Sequence, residues 1–230
     1  MTFNGPHSAS QGRTMPTESP ATSFDAAATS AKTTSANFLL RPLVDLDIAL
    51  SLWIHEACLP TPRWLLKVLE ISGDGRFWFP IPISLYCFSS RSSILLGLIL
   101  GSLLDVLLVG LIKHLVRRPR PVYNKGMRLT FAVDHWSFPS GHSSRVFFIA
   151  SFLSNCADPF RVALDSHRWV HGYFGGEPGD LFLMFVCVWV WSATTSASRV
   201  LLGRHFVLDV IAGACLGVFE ALLVFHIMKF

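Results

Sequence analysis

Three short polar clusters in this sequence carry residue types that can bind an anion and move a proton. The first is KHLVRRPRP, residues 113–121, which follows a long apolar run and presents Lys113 and Arg120 among four cations. Pro119 and Pro121 cannot continue a helix, so the chain is predicted to leave the apolar layer here. An ammonium and a guanidinium together can neutralise a phosphate. The alternative is that these cations serve only as interfacial anchors that reach lipid headgroups.

The second cluster, SFPSGHSSR at residues 137–145, precedes another apolar run. Pro139 and the small residues after it predict that a helix starts near His142. A helix start presents free N–H groups and the positive end of the helix dipole, which favour a phosphate. Gly141 lets the backbone approach an anion, and Ser140 can cap the helix or donate to the anion. The alternative is an ordinary helix cap beside a histidine that has no function.

The third cluster, SRVLLGRHFVLDV at residues 198–210, contains Arg199, His205 and Asp209. On one helix, His205 and Asp209 would share a face one turn apart, and the carboxylate could accept the imidazole N–H. That hydrogen bond would fix the tautomer and leave the other ring nitrogen as a nucleophile. The alternative is a polar pair that satisfies itself inside a helical bundle. Ionisable residues at membrane depth are costly, however, and indicate a function.

In combination, the three clusters supply the groups for phosphoryl transfer without a metal. Each lies at the end of an apolar run, so all three can meet near one membrane face. The cations would neutralise the phosphate and the charge that develops in the transition state. One histidine would attack phosphorus, and the other would protonate the leaving oxygen and then activate water. Residue types alone do not decide which histidine attacks, and Asp209 favours His205 only modestly.

The motifs resemble those of the type 2 phosphatidic acid phosphatase superfamily. Its three signatures are matched, in order, by KxxxxxxRP at residues 113–121, PSGH at 139–142 and SRxxxxxHxxxD at 198–209. The stretches LEISGDG, SFPSGH and SRVLLGRH are also similar to the branch that hydrolyses polyisoprenoid and presqualene diphosphates, and to plant lipid phosphate phosphatases. The segment between the second and third motifs, residues 158–180, is longer than the family pattern leads us to expect.

The resemblance implies a role for each motif position. His205 would be the nucleophile that forms a phosphohistidine, Asp209 would orient it, and His142 would be the general acid and base. The phosphate oxygens would be held by Lys113, Arg120, Ser140, Gly141 and Arg199. The resemblance further implies a helical core with the site at the membrane–water boundary, no metal site and no cofactor. The substrate would be a lipid phosphate or diphosphate, such as phosphatidate or a polyisoprenyl or presqualene diphosphate.

Six apolar segments must position these clusters. Apolar residues make up 51% of the 230-residue chain and charged residues 15%, and the mean hydropathy is +0.47. This composition favours a polytopic membrane protein over a soluble one. The segments predict five or six membrane helices in one all-α bundle, with the GxxxG pairs Gly97/Gly101 and Gly213/Gly217 at close helix contacts. The segments are residues 43–59, 77–90, 93–112, 146–157, 181–197 and 206–228.

Outside these segments the sequence predicts a tail and a loop. Residues 1–37 are rich in Ser, Thr, Ala and Pro and are predicted to form a disordered tail, and residues 38–230 are predicted to form the membrane-embedded phosphatase domain. The tail lacks the apolar core of a secretory signal peptide, and its scarcity of acids is compatible with a plastid transit peptide. We expect a multi-pass protein of the endoplasmic reticulum, with a plastid membrane as the alternative. The polar, Gly-rich residues 158–180 predict a surface loop.

Other function classes fit the sequence less well. A transporter or channel for an anionic solute would need paired inverted halves, and no internal repeat is evident. A non-catalytic scaffold of the same fold would have lost a motif residue, and all of them are present. We expect a membrane and a lipid phosphate as partners and no nucleic acid, and the sequence does not indicate an oligomeric state.

Overall fold

The computed structural model describes residues 41–88, 92–123, 135–158 and 178–229. The chain divides into two units, Met1–Val44 and Asp45–Phe230. In the first unit the described residues, 41–44, are helical. The tail predicted over residues 1–37 lies outside the described residues, and so do residues 159–177 of the predicted loop.

Helices form the second unit, and no β-strand occurs among its described residues. The prediction of an all-α fold is therefore confirmed. The described part of the apolar segment that contains Pro80 and Pro82 folds as two short helices rather than one long one. In chain order the helices are α1 (residues 45–57), α2 (Arg63–Ser72), α3 (Gly75–Trp78), α4 (Pro80–Phe88), α5 (Ser93–Val116), α6 (Gly141–Asn155), α7 (Pro178–Leu201) and α8 (Val207–Met228).

Three helical stretches are long and apolar enough to cross a membrane, namely Ser93–Val116, Leu181–Leu201 and Val207–Met228. Their outward faces are apolar as well, since Leu103 and Leu107 lie one turn apart on α5 and are both more than half exposed. The helices α4, with 9 residues, and α6, with 15, are shorter than the roughly 20 residues that a hydrocarbon core requires. The fold is that of an integral membrane helical protein, and the count of five or six membrane helices stays a prediction.

Helix α6 is the centre of the bundle and packs against α5, α7 and α8. Its side chains Phe148 and Phe152 are fully buried. The GxxxG pair of α5 faces these rings, since a Cβ on Gly97 would collide with Phe152 and one on Gly101 with Phe148. Because glycine has no side chain, the rings lie directly against the backbone of α5. The predicted close contact at this pair is confirmed.

The GxxxG pair of α8 brings two helix backbones together. A Cβ on Gly213 would collide with the carbonyl oxygen of Ser140, and one on Gly217 with the carbonyl oxygen of Ser144. The predicted close contact is confirmed at this pair as well. Because these carbonyl groups belong to the start of α6, the contact sets the position of that helix start beside α8.

We expect the Gly217→Ala variant to be destabilised. The new methyl group would meet backbone atoms that cannot rotate away, and overpacking of this kind costs about 1–3 kcal/mol. Thermal unfolding in detergent, followed by circular dichroism, should show a lower Tm. Gly110→Ala on α5 is the matched control, because a Cβ there meets nothing within 4 Å. Equal Tm values for wild type and Gly217→Ala would contradict this account of the packing.

Candidate active site

The first motif is joined by its backbone to the residues just before the second. Helix α5 ends at Val116, before Pro119, as predicted. The chain then runs beside the segment that leads into α6. The Ser137 N–H donates to the carbonyl oxygen of Arg118 at 2.8 Å, and Pro119 forms a β-bridge with Trp136. These contacts place the cations of the first motif next to the start of α6.

The second motif forms the start of α6. Ser140 is the N-cap, and its hydroxyl oxygen accepts from the Ser143 N–H at 3.5 Å. The predicted cap and the predicted helix start, at Gly141 beside His142, are confirmed. The Ser140 N–H donates to the carbonyl oxygen of Asp209 at 2.9 Å. The start of α6 is therefore bonded to the first turn of α8, which carries Asp209, the last residue of the third motif.

His205 lies between α7 and α8 and is buried. Its Nδ1 is 2.8 Å from the carbonyl oxygen of Ser137. Because a carbonyl oxygen can only accept, Nδ1 carries the proton and Nε2 keeps its lone pair. Nε2 lies 3.3 Å from Nη1 of Arg120. The ring nitrogen that keeps its lone pair is thus directed at a cation of the first motif.

Asp209 lies near His205 but does not hold it in the predicted way. His205 precedes α8, so the two residues do not share a helix face. Oδ2 of Asp209 is 3.7 Å from Nδ1, which is too far for a hydrogen bond, and it accepts from the Phe206 N–H at 2.9 Å. The prediction that Asp209 accepts the imidazole N–H is wrong in this structure, because the carbonyl group of Ser137 occupies that place. That Asp209 orients His205 stays a prediction based on the family resemblance.

Arg118 has a structural role that its place in the cation cluster did not indicate. Its guanidinium bridges Asp47 of α1, at 2.6 Å, and Asp209, at 2.7 Å. Asp47 also accepts from the Leu208 N–H at 2.9 Å, so α1 caps the start of α8. This network holds the first turn of α8 in place directly after His205.

Together with burial, three of the predicted phosphate ligands lower the pKa of His205 through their charges. Burial lowers the pKa of His205 well below its ordinary value, and the charges of Arg120, Arg199 and Lys113 lower it further. Cations of the first and third motifs therefore reach the same imidazole, which is neutral at physiological pH. A buried neutral base among several cations is an environment that favours an anion.

His142, in the first turn of α6, is close to the same point. Burial lowers the pKa of His142 well below its ordinary value, and the charges of Arg199, Arg145 and His205 add to this effect. A hydrogen bond with the backbone of Glu70 holds the ring. Its Nε2 is buried and has no hydrogen-bond partner among the described residues. The histidines of the second and third motifs are neighbours, as the convergence of the motifs predicted.

Glu70, near the end of α2, contacts the site and was missed by the motif analysis. Its Oε1 is 2.7 Å from Nη1 of Arg199 and 3.5 Å from Nε of Arg204. Burial acts to raise the pKa of Glu70, but the charges of Arg199, Arg204 and Lys67 outweigh it, so the pKa is lowered and the carboxylate stays charged. An acid inside the apolar stretch RWLLKVLEIS is the sequence signal that could have identified it.

The eight predicted site residues thus belong to neighbouring ends of α5, α6, α7 and α8. The arrangement offers a neutral imidazole whose lone pair faces Arg120, a second imidazole, further cations and the start of a helix. Helix N–H groups and guanidinium groups bind tetrahedral oxyanions, and an imidazole among them can attack the bound centre. The geometry is therefore suited to covalent transfer of a phosphoryl group.

The sequence of this chain is similar to those of known proteins. The family model described as the PAP2 superfamily matches residues 94–230. The probable lipid phosphate phosphatase beta of Arabidopsis thaliana is 40% identical over 203 residues, which cover 85% of this chain and 95% of that protein. Phosphatidylglycerophosphatase B of Bacillus subtilis (strain 168) is 25% identical over 182 residues, which cover 77% of this chain and 74% of that protein.

Two solved structures share the fold. The crystal structure of Aquifex aeolicus LpxE is similar with a TM-score of 0.56 and 26% identity, over 79% of this chain and 95% of that one. The first transmembrane PAP2-type phosphatidylglycerolphosphate phosphatase from Bacillus subtilis gives a TM-score of 0.60 at 23% identity, over 82% and 87% of the two chains. The family match spans more than half of the sequence and contains all three motifs, so this chain belongs to the PAP2 superfamily.

Proposed function

We propose that this protein is an integral membrane phosphatase that releases phosphate from a lipid phosphate or diphosphate through a phosphohistidine at His205. The observation that carries the proposal is the pair of contacts made by His205, with Nδ1–H on the Ser137 carbonyl oxygen and Nε2 facing Arg120. An imidazole held in this way directs its lone pair toward cations that can hold a phosphoryl group. The names of two relatives, a lipid phosphate phosphatase and a phosphatidylglycerophosphatase, support a lipid phosphate as the substrate.

In the first step, Nε2 of His205 attacks phosphorus. Its lone pair becomes the N–P bond, while the bond to the leaving oxygen breaks and leaves its electron pair on that oxygen. Lys113, Arg120 and Arg199 balance the charge on the three remaining phosphoryl oxygens. His142 delivers a proton to the leaving oxygen, so a lipid alcohol or a lipid monophosphate departs.

In the second step, water displaces His205. The neutral His142 accepts a proton from water, the water oxygen attacks phosphorus, and Nε2 regains its lone pair as the N–P bond breaks. Burial and the charges of Arg199 and Arg145 keep His142 neutral in the free enzyme, so it must gain its proton as substrate binds. The negative charge of a phosphate favours that protonation, because it opposes the effect of the neighbouring cations.

Phosphate release in the presence of EDTA tests this function. The cations Lys113, Arg120 and Arg199 supply the charge balance that a metal ion supplies in other phosphatases, so we expect EDTA to leave the rate unchanged. The assay uses the purified protein in detergent with phosphatidate and with farnesyl, polyisoprenyl and presqualene phosphates and diphosphates. Release of phosphate from none of them would favour a non-catalytic scaffold. Loss of activity in EDTA that Mg²⁺ restores would show that the metal-independent mechanism is wrong.

An apolar groove supports a substrate with a hydrocarbon tail. Its volume is about 340 Å³, and Ser196 is its one polar side chain among the described residues. Two groove residues adjoin the site along the chain, since Val200 follows Arg199 and Val207 lies two positions after His205. Apolar walls of this kind suit an acyl or prenyl chain better than a polar solute. The other lining residues include Ile54, Phe147, Ala197, Ile211 and Ala214.

We expect the Ala214→Trp variant to hydrolyse long-chain lipid phosphates more slowly. The indole would fill part of the groove, and the loss of about two buried methylene groups costs about 1.6 kcal/mol, or roughly tenfold in kcat/KM. Hydrolysis of p-nitrophenyl phosphate, which has no tail, should be unchanged. Cys215→Trp is the matched control, because Cys215 is the next residue of α8 and is exposed. Equal losses on both substrates would argue against a tail in this groove.

A further inference from the structure

Arg145 is a buried cation to which the proposed mechanism assigns no contact with the phosphoryl group. It lies three residues after His142 on α6, and its guanidinium joins two other elements. Nη2 is 3.0 Å from Oδ2 of Asp105 on α5, and Nη1 donates at 3.3 Å to the carbonyl oxygen of Gly73, at the end of α2. The Asp105 side chain is fully buried, and an unpaired charge there would be strongly destabilising.

The helix end that Arg145 contacts is itself in contact with the site. Gly73 packs on the ring of His142, since a Cβ on this glycine would lie 3.4 Å from Cδ2 of the imidazole. Glu70, in the last turn of α2, forms a hydrogen bond with His142 through its backbone. Its carboxylate holds Arg199 at 2.7 Å. One short segment therefore contacts both the proposed acid and a proposed phosphate ligand.

The end of α2 is well suited to a cation. The last carbonyl groups of a helix have no partner within the helix and lie at the negative end of its dipole. Gly75 leaves the space that the guanidinium occupies, since a Cβ there would lie 3.1 Å from Cζ of Arg145.

Glu220 of α8 is also buried, and neither of its carboxyl oxygens has a hydrogen-bond partner among the described residues.

We propose that Arg145 is a positioning residue for the phosphatase reaction. Held by Asp105, it keeps the end of α2 in place, and α2 in turn keeps His142 and Arg199 at the distances that phosphoryl transfer needs. This inference rests on the proposed function and adds a residue that acts only through other residues. The competing explanation is that the Arg145–Asp105 pair only stabilises the packing of α6 on α5.

The double variant Asp105→Asn/Arg145→Met separates the two explanations. It removes both charges together, and replacing a buried pair in this way often costs no stability. The Gly73 carbonyl oxygen still loses its donor, so the end of α2 is released. We expect a Tm near that of wild type but a kcat on lipid phosphate about 10- to 100-fold lower, as a misplacement of about 1 Å causes. KM should change less than kcat.

Two further variants serve as a partial rescue and as a matched control. Arg145→Lys keeps a cation beside Asp105 and Gly73, so it should recover part of the lost kcat. Glu220→Gln is the matched control, because Glu220 is a buried carboxyl group that interacts electrostatically with Asp105 and Arg145 but has no hydrogen bond to α2 among the described residues. Its kcat should equal that of wild type.

Hydrogen exchange adds a readout that does not depend on activity. The N–H groups of Gly73 and Asp74 donate to the carbonyl oxygens of Leu69 and Ile71, which protects them while the end of α2 is held. Both amides should exchange faster in the double variant than in Glu220→Gln. Unchanged exchange would show that Arg145 does not anchor α2 and would overturn the proposal.

The remaining outcomes distinguish the proposal from the function on which it rests. A double variant with the kcat of wild type would overturn the positioning role and leave the phosphatase function standing. If kcat falls only in those variants whose Tm also falls, the result would favour the packing explanation instead. A wild-type protein that releases no phosphate would overturn the proposed function and any role in it, and the exchange result would then decide whether Arg145 anchors α2.

Discussion

The His205→Asn variant should lose at least about 1,000-fold in kcat while keeping its fold. The asparagine amide takes the position of Nδ1 and can still donate to the carbonyl oxygen of Ser137. It places no nitrogen lone pair where Nε2 lies, so the covalent intermediate cannot form, and losses of a nucleophile are typically this large or larger. Phosphate release from a lipid phosphate measures the effect, and Tm verifies the fold.

A covalent-labelling experiment and a second histidine complete this test. Wild type mixed with radiolabelled substrate and quenched in alkali should retain acid-labile phosphate on the protein, and His205→Asn should retain none. His226→Asn is the matched control, because His226 is exposed in the last turn of α8, at the opposite end of that helix from the site. Substantial activity in His205→Asn would remove this residue from the chemistry.

The lowered pKa of His205 leads to a prediction for the acid side of the pH profile of kcat/KM. Burial and the neighbouring cations lower the pKa of His205, so the nucleophile stays neutral at pH values where an ordinary histidine gains a proton. We therefore expect kcat/KM, which reports the free enzyme, to show no fall between about pH 7.5 and about pH 6 from protonation of this group. A fall with an apparent pKa near 6.5 that persists in His142→Asn would contradict this assignment, because His142 could not then be its cause.

The His142→Asn variant should lose about 10²- to 10⁴-fold in kcat on lipid substrates, the usual contribution of a general acid or base. A lipid alcohol is a poor leaving group and needs a proton as it departs, whereas p-nitrophenolate does not. The loss in the first step should therefore be much smaller with p-nitrophenyl phosphate. Because the second step still needs His142 to activate water, phosphohistidine should accumulate on this variant with that substrate.

The leaving-group comparison decides the role of His142. Rapid-quench measurement of the covalent intermediate and of released p-nitrophenol separates the two steps. A burst of p-nitrophenol followed by slow phosphate release supports an acid that becomes a base. An equal loss on both substrates without any accumulated intermediate would show that His142 binds phosphate or supports the fold, and does not transfer a proton.

Much of the local structure could be predicted because it depends on residues close in sequence. The Ser140 cap and the helix start at Gly141 follow from a small residue, a glycine and an apolar run within a few positions. The end of α5 before Pro119 follows from the missing N–H of proline. The contacts at Gly213 and Gly217 follow from the spacing of small residues on one helix face.

The prediction for Asp209 failed for an instructive reason. A spacing of four residues brings two side chains together only if both lie on the same helix, and the helix begins after His205. The chain before α8 turns so that Nδ1 meets a backbone carbonyl group instead. The carboxylate instead contacts the Arg118 guanidinium and accepts a hydrogen bond from the N–H of Phe206, the N-cap of α8.

The sequence by itself determined which side chains are available for the proposed chemistry, because residue type alone places imidazole, guanidinium and ammonium groups at Lys113, Arg120, His142, Arg199 and His205. Only the tertiary structure decided what holds them. Ser137 lies 68 residues from His205, and Glu70 lies 129 residues from Arg199. A backbone carbonyl group occurs at every residue and carboxylates occur at many, so no local pattern marks the one that accepts. That choice depends on how the helices pack, and packing is a property of the whole chain.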